Sequence, residues 1–227
     1  MAAGLRERKK QQTREHIAET ARRLFTTHGF DQVTVTDVAR EADVSPQTVF
    51  NYFPTKEDLF YSRLEAFEDE LLAAIRGRDP GASVLEGFAA FILRPSGVFD
   101  VSAGCEDRAA AERLRTITRV ITESPALLAR ERQVFDRYTD SLAALIAEET
   151  GSAPDAVAPR AVAGALLGIH RALIEYVRRH TLAGASIGDI ASGLRSEAAA
   201  AVEQLRRGLG DYAVKRAGAG GCAGSAP

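Results

Sequence analysis

The chain has 227 residues, with 29 Lys and Arg against 31 Asp and Glu and a net charge of −2, so it is no wholesale polycation. A local basic patch stays open, because net charge is a sum and binding is local. Its length allows one or two domains with a real core, and its 45% hydrophobic and 26% charged residues match a soluble globular protein.

Charges interrupt every long stretch, so no 18-residue apolar run is read and no membrane span is expected. The start, Met1 to Lys10, is basic but no apolar segment follows it; the expectation is a cytoplasmic chain without a secretory signal. Ala, Leu, Arg and Glu abound, and the only run suited to a strand is Val33-Thr34-Val35-Thr36. Thr34 with Asp37 also fits an N-cap with its N3 acid, and Val38, Ala39 and Ala42 keep helical spacing. The expected fold class is therefore all-α.

In chain order, Ile17, Ala21, Leu24 and Phe25 predict an amphipathic helix over about 9–28, ended by Gly29. A short helix follows at about 35–41, then a turn. Ser45 as N-cap and Pro46 at the first position open a second short helix, which Pro54 stops near Tyr52. Thr55 and Asp58 cap a fourth helix whose stripe of Leu59, Phe60, Leu64, Phe67, Leu71 and Ile75 runs to about Arg76-Gly77. Beyond Arg78-Asp79-Pro80-Gly81 the helices lengthen, to about 83–93, 106–123, 125–149, 155–182 and 186–213. Three segments are expected: residues 1–55 as a three-helix helix-turn-helix domain with a basic arm, 56–215 as a helical ligand-binding and dimerisation domain, and 216–227 as a disordered tail.

The two short helices have the dimensions of a helix-turn-helix. Val49 and Phe53 lie on one face of the second and would pack with Val38 and Val44, which turns Gln47 and Asn51 outward. Such amides pair bidentately with adenine N6 and N7, whereas hydroxyls and helix N-termini reach phosphate. Arg6, Arg8, Lys9, Lys10 and Arg14 against Glu7 make the start locally positive, suited to salt-sensitive phosphate affinity. Lys56 is placed for a further phosphate contact. Phe50 stays open between groove and core, and Tyr52 between backbone contact and core cover.

The residues Val33 to Ala39, then Val44-Ser45-Pro46-Gln47-Thr48-Val49-Phe50-Asn51-Tyr52-Phe53-Pro54-Thr55-Lys56-Glu57-Asp58-Leu59, closely resemble the DNA-binding signature of TetR-family transcriptional regulators. Leu24-Phe25 and His28-Gly29-Phe30 resemble the end of that family's first helix, so the likeness covers roughly residues 10–65. The resemblance implies an all-helical homodimer whose varied C-terminal domain binds a small-molecule effector that commonly releases a palindromic operator. Carried over by position, it implies backbone contacts for Thr34, Thr36, Ser45, Thr48, Tyr52 and Lys56, and base contacts for Pro46, Gln47, Phe50 and Asn51. Phe50 stands where the family most often has Tyr, which loses a hydroxyl contact but keeps a surface for a thymine methyl.

Ile187, Ile190, Leu194, Ala198, Val202, Leu205 and Leu209 form a stripe, and Ala163, Leu166, Leu167, His170, Leu173, Ile174 and Val177 another. One face of these two helices must cover its own domain, and the excess apolar surface suits a partner subunit, giving a four-helix dimer interface near 155–182 and 186–213, where the family also puts it. An effector pocket is expected from Phe88, Phe91 and Tyr138, with Arg119, Gln133 or His170 as polar anchor.

Cys105 and Cys222 are far apart, and His16, His28, His170 and His180 form no ligand spacing, so no metal or cofactor is expected. An enzyme would need a nucleophile-base or paired-carboxylate arrangement, and Glu106, Asp107, Glu112, Glu123, Glu148 and Glu149 read as solvated helix faces. A helical sensor acting through protein contacts would require a degraded recognition helix, and this one looks intact.

Overall fold

Local capping signals set the helix boundaries. The structure, a computed structural model, describes residues 2–62, 64–94, 108–153, 155–209 and 214. Among them are the helices α1 (Ala2–His28), α2 (Val35–Glu41), α3 (Pro46–Tyr52), α4 (Lys56–Phe60), α5 (Leu64–Gly77), α6 (Val84–Ile92), α7 (Arg108–Glu123), α8 (Pro125–Thr150), α9 (Val157–Leu182) and α10 (Ile187–Leu209), and no strand. Thr34, Ser45, Thr55 and Ser83 each cap the helix that follows, and three of these caps are reciprocal boxes closed by Asp37, Asp58 and Glu86. Gly29 ends α1 at φ +86°, a left-handed conformation that glycine takes without steric cost.

Two expectations about helices change. The first helix begins at Ala2 rather than near residue 9, so the basic start is helical. Its Arg, Lys and Gln residues are good helix formers, and Gln11 donates to Glu15 one turn on at 2.8 Å. The fourth helix is two, α4 and α5, because the chain leaves helical geometry at Tyr61 and Ser62. The Tyr61 hydroxyl reaches the carbonyl of Leu127, 66 residues away, and Ser62 is buried. No local periodicity could report that pull. The tail at 216–227, Cys105, Cys222, Glu106 and Asp107 lie outside the described residues.

The chain divides into two compact units. The first comprises residues 1–67, 106–134 and 178–186. Its core joins Ile17, Ala21 and Phe25 of α1 to Val38 of α2, Val49 of α3, the α3 C-cap Phe53, Leu59 of α4, Ile121 of α7 and Leu127 of α8. The small core expected around Val49 and Phe53 is thus present, with Val44 half-buried against it.

The second unit comprises 68–105, 135–177 and 187–227. Its buried residues include Leu71, Ile75, Leu85, Phe88, Phe91, Tyr138, Leu142, Leu166 and Leu194, with α10 packed on α6. Arg78, 6% exposed, donates to the carbonyls of Ile75 and Ala82 and grips both oxygens of Glu149, at 3.1 and 2.5 Å. A Cβ on Gly87 would stand 2.9 Å from Arg78 Cδ, so this buried cation needs a glycine beside it.

Much of the two apolar stripes covers the protomer's own core. Ile187, Ile190, Leu194, Ala198 and Val202 of α10 are buried within the single chain, as are Ala163, Leu166, Leu167, His170 and Leu173 of α9. Leu205, Ile174 and Val177 are half-buried, and the side chain of Leu209 lies outside the described residues. A helical period reports that a face is covered and not by what. Among the residues that the two helices leave exposed are small ones, Ala161, Gly164, Gly168 and Ala172 on α9 and Ala199 and Ala200 on α10, beside charged side chains and the apolar Val157 and Leu182.

A second reading of α9 also changes. By length and composition it is apolar enough to cross a membrane, with a mean hydropathy of 1.3 over its best window. Nearly half of that window is buried in the chain, as suits the core helix of a globular unit.

Candidate nucleic-acid interface

Three helices of the first unit build the candidate reading surface. α2 and α3 pack on each other and α2 on α1, and the turn between α2 and α3 passes through Asp43 at φ +53°. Asp tolerates this left-handed conformation better than most residues, and it lets Val44 N–H return to the carbonyl of Ala39 at 2.9 Å.

Val49 is wholly buried, which fixes the roll of α3 and sends Gln47, Phe50 and Asn51 into solvent. Gln47 Nε2 donates to Asn51 Oδ1 at 3.1 Å. The bond pre-orders both amides and leaves Gln47 Oε1 as an acceptor beside the Asn51 Nδ2 donors. Phe50, left open by the sequence, is 46% exposed on this surface and not core. Pro46 is exposed at the N-terminal end, and Tyr52 is half-buried against the core.

The hydroxyls differ in what they can still donate. Thr34 Oγ1 accepts from the Asp37 N–H at 3.1 Å and stands 2.6 Å from Asp37 Oδ2, to which it donates. Its hydrogen is therefore committed to the cap, and a phosphate there would have to displace Asp37. These bonds from Thr34, with the nearby Arg40, hold the Asp37 carboxyl below its ordinary pKa of 3.8. Thr36, two residues on, is exposed. Ser45 Oγ accepts from the Thr48 N–H at 3.0 Å and shares a hydrogen with Thr48 Oγ1 at 2.8 Å. That leaves one hydroxyl hydrogen of the pair for a phosphate oxygen.

Two cations flank the far end of α3 by sitting on aromatic faces. The Arg14 guanidinium lies 5.0 Å over the ring of Phe53, and Lys56 Nζ lies 4.2 Å over Phe30. Burial lowers the Lys56 pKa from its ordinary 10.5, against the pull of Asp31 and Glu57. Arg8, Lys9 and Lys10 project from the exposed first turns of α1. The side chain of Arg6 lies outside the described residues.

The residues expected to hold an effector fall in both units. Phe88, Phe91, Tyr138 and His170 are buried in the second unit, where the His170 and Phe135 rings meet edge to face at 5.5 Å. Phe91 lines an open cleft of about 440 Å³ with Ala74, Arg78, Gly87 and Arg94. Arg119 and Gln133 belong to the first unit and are exposed, Gln133 accepting from Arg130 at 3.1 Å. Among the described residues no group of His, Cys, Asp and Glu is arranged to hold a metal ion.

Sequence reasoning passed over Tyr61, Arg130, Glu131 and Arg178, which meet near α4. Only Asp58 carried a local signal there, as the acid of a cap.

A three-helix reading head followed by long helices defines a helix-turn-helix regulator. Residues 17–62 match the family model described as bacterial regulatory proteins, tetR family, and residues 101–191 match the MftR C-terminal domain. The regulator TcmR of Streptomyces glaucescens is 28% identical over 153 residues, 65% of this chain and 65% of its own length. MftR of Mycobacterium tuberculosis, a transcriptional regulator named for mycofactocin biosynthesis, is 26% identical over 176 residues, 74% of this chain and 81% of its own.

Solved structures share the fold. SmeT, repressor of the Stenotrophomonas maltophilia pump SmeDEF, aligns with TM-score 0.50 at 17% identity over 87% of this chain and 90% of its own. NalD, the secondary repressor of the MexAB-OprM pump in Pseudomonas aeruginosa, aligns with TM-score 0.50 at 20% identity over 88% and 98%. The chain belongs to the TetR family of transcriptional regulators.

Proposed function

We propose that the chain is a homodimeric, ligand-responsive repressor that reads a palindromic operator in double-stranded DNA with α3. One observation carries this reading: an amide pair, Gln47 and Asn51, pre-ordered on the exposed face of a short helix whose opposite face is locked into a core. Gln47, Asn51 and Phe50 meet base edges, with Pro46 at the groove wall. Ser45, Thr48, Tyr52, Lys56, Thr36 and the N-terminus of α2 at Thr34 meet the backbone. Basic residues at the start of α1 add affinity for any sequence.

The partner subunit packs on the small-residue faces of α9 and α10, since their apolar stripes already serve the protomer core. Small side chains let helix axes approach closely, and a dimer sets two α3 helices about one turn of DNA, roughly 34–36 Å, apart. The effector enters the second unit near the aromatic group of Phe88, Phe91, Tyr138 and His170. It releases the operator only if it binds better to a state in which the two α3 helices no longer match the groove spacing. Relatives named as regulators support this role over catalysis, and the expected location is the cytoplasm.

Selection of binding sites from randomised duplexes tests the reading. The expected result is enrichment of a dyad-symmetric site; a pool that stays random would overturn it.

A further inference from the structure

Buried charge is costly unless it is paired, so a cluster of ionised groups held away from water marks a place where geometry is enforced. The first unit has a largely covered cluster around α4, in which Glu131 is buried and Asp58, Tyr61, Arg130 and Arg178 are half-buried. Asp58 completes the N-terminal cap of α4 through Oδ2, accepting from Thr55 N–H at 3.0 Å. Its Oδ1 takes a charged bond from Arg130 of α8, at 2.9 Å to Nε and 2.7 Å to Nη2. At the other end of α4, the Tyr61 hydroxyl donates to Leu127 O at 3.2 Å and lies 3.4 Å from Glu131 Oε2. Glu131 is buried, and Arg178 of α9 donates to the same oxygen at 2.7 Å. Burial and the Glu131 charge push the Tyr61 hydroxyl well above the ordinary phenol range, so it stays protonated and donating.

α4 has five residues and is thus gripped at both ends, once by a charge pair and once by a hydroxyl, carboxylate and guanidinium cluster. Only Pro54 and Thr55 separate it from Phe53, the C-cap of α3. The grip also accounts for the helix break at Tyr61.

We propose that Tyr61, Glu131 and Arg178, with Asp58 and Arg130, form a positioning latch that sets the angle of α3 for the operator. The latch touches no DNA. It fixes the orientation of α4, and α4 carries α3 with it. Loosening it costs discrimination between operator and other DNA, because base contacts need a fixed approach while phosphate attraction does not.

The inference rests on the operator-reading function proposed above. The test measures affinity for the site selected by the wild-type chain and for a random-sequence duplex, together with the thermal midpoint. Glu131→Gln and Tyr61→Phe are expected to lower the operator-to-random ratio roughly tenfold, within the usual range of coupling between sites. Glu131→Met with Arg178→Met removes both charges, so the midpoint should recover while the ratio stays low.

Recovery of the ratio together with the midpoint would show a merely stabilising pair and overturn the latch. Tyr61→Phe, which deletes one oxygen and no charge, decides the matter if the double variant does not fold; a ratio within twofold of wild type overturns the latch. A wild-type chain that enriches no site overturns the DNA-reading function and the latch with it, whereas enrichment with unchanged variants overturns the latch alone.

Discussion

Burial holds the His170 imidazole neutral and lowers its pKa from 6.5 to about 3. The sign of the consequence follows from proton counting: below pH 6.5 the unfolded chain binds a proton that the folded chain refuses. His170 therefore withdraws stability progressively as pH falls from about 6.5 toward 3, with a limiting slope of about 1.4 kcal/mol per pH unit for one proton. His170→Leu should flatten that slope in urea titrations run between pH 7 and about 4.5. An unchanged slope would show that the imidazole is not held neutral. The sequence placed this histidine on an apolar face but could not say how deep it lies, because depth depends on α9 and α8 meeting at Phe135. Glu131 and Arg178 were illegible for the same reason: they lie 47 residues apart, and no local rule pairs them.

At the scale of elements, α2 and α3 were readable to the residue because their limits are written in neighbouring side chains: Thr34 with Asp37, Ser45 with Pro46, and Pro54. The break between α4 and α5 was not, since a distant carbonyl holds it. The start of α1 lay between these cases; its residues favour helix, but without an apolar stripe there the periodicity gave no reason to extend it. A helical start changes how the cations act. Arg8, Lys9 and Lys10 ride on a rod rather than a loose arm, and the proposed reading has them meet phosphates along a path rather than thread a groove. Removing residues 1–10 should weaken binding to every duplex and flatten the dependence of affinity on salt. An equal salt slope after truncation would show that these cations do not meet DNA.

At the scale of the molecule, the near-neutral charge hides an uneven distribution, with a basic start and helices of mixed charge beyond it. Two units of helices account for most of the chain, and the apolar stripes once available to a partner are used within the protomer. The proposed dimer rests on α9 and α10, and light scattering at micromolar concentration should give twice the 24.4 kDa chain mass. A monomer would remove the basis for a palindromic operator.

The central claim is that the Gln47 and Asn51 amides read bases, and a binding-site selection run on Gln47→Ala and Asn51→Ala tests it most directly. Each substitution should cost about 1–3 kcal/mol at the wild-type site and relax base preference at one or two positions while the rest of the site persists. A selected site with unchanged preference at every position would contradict the account.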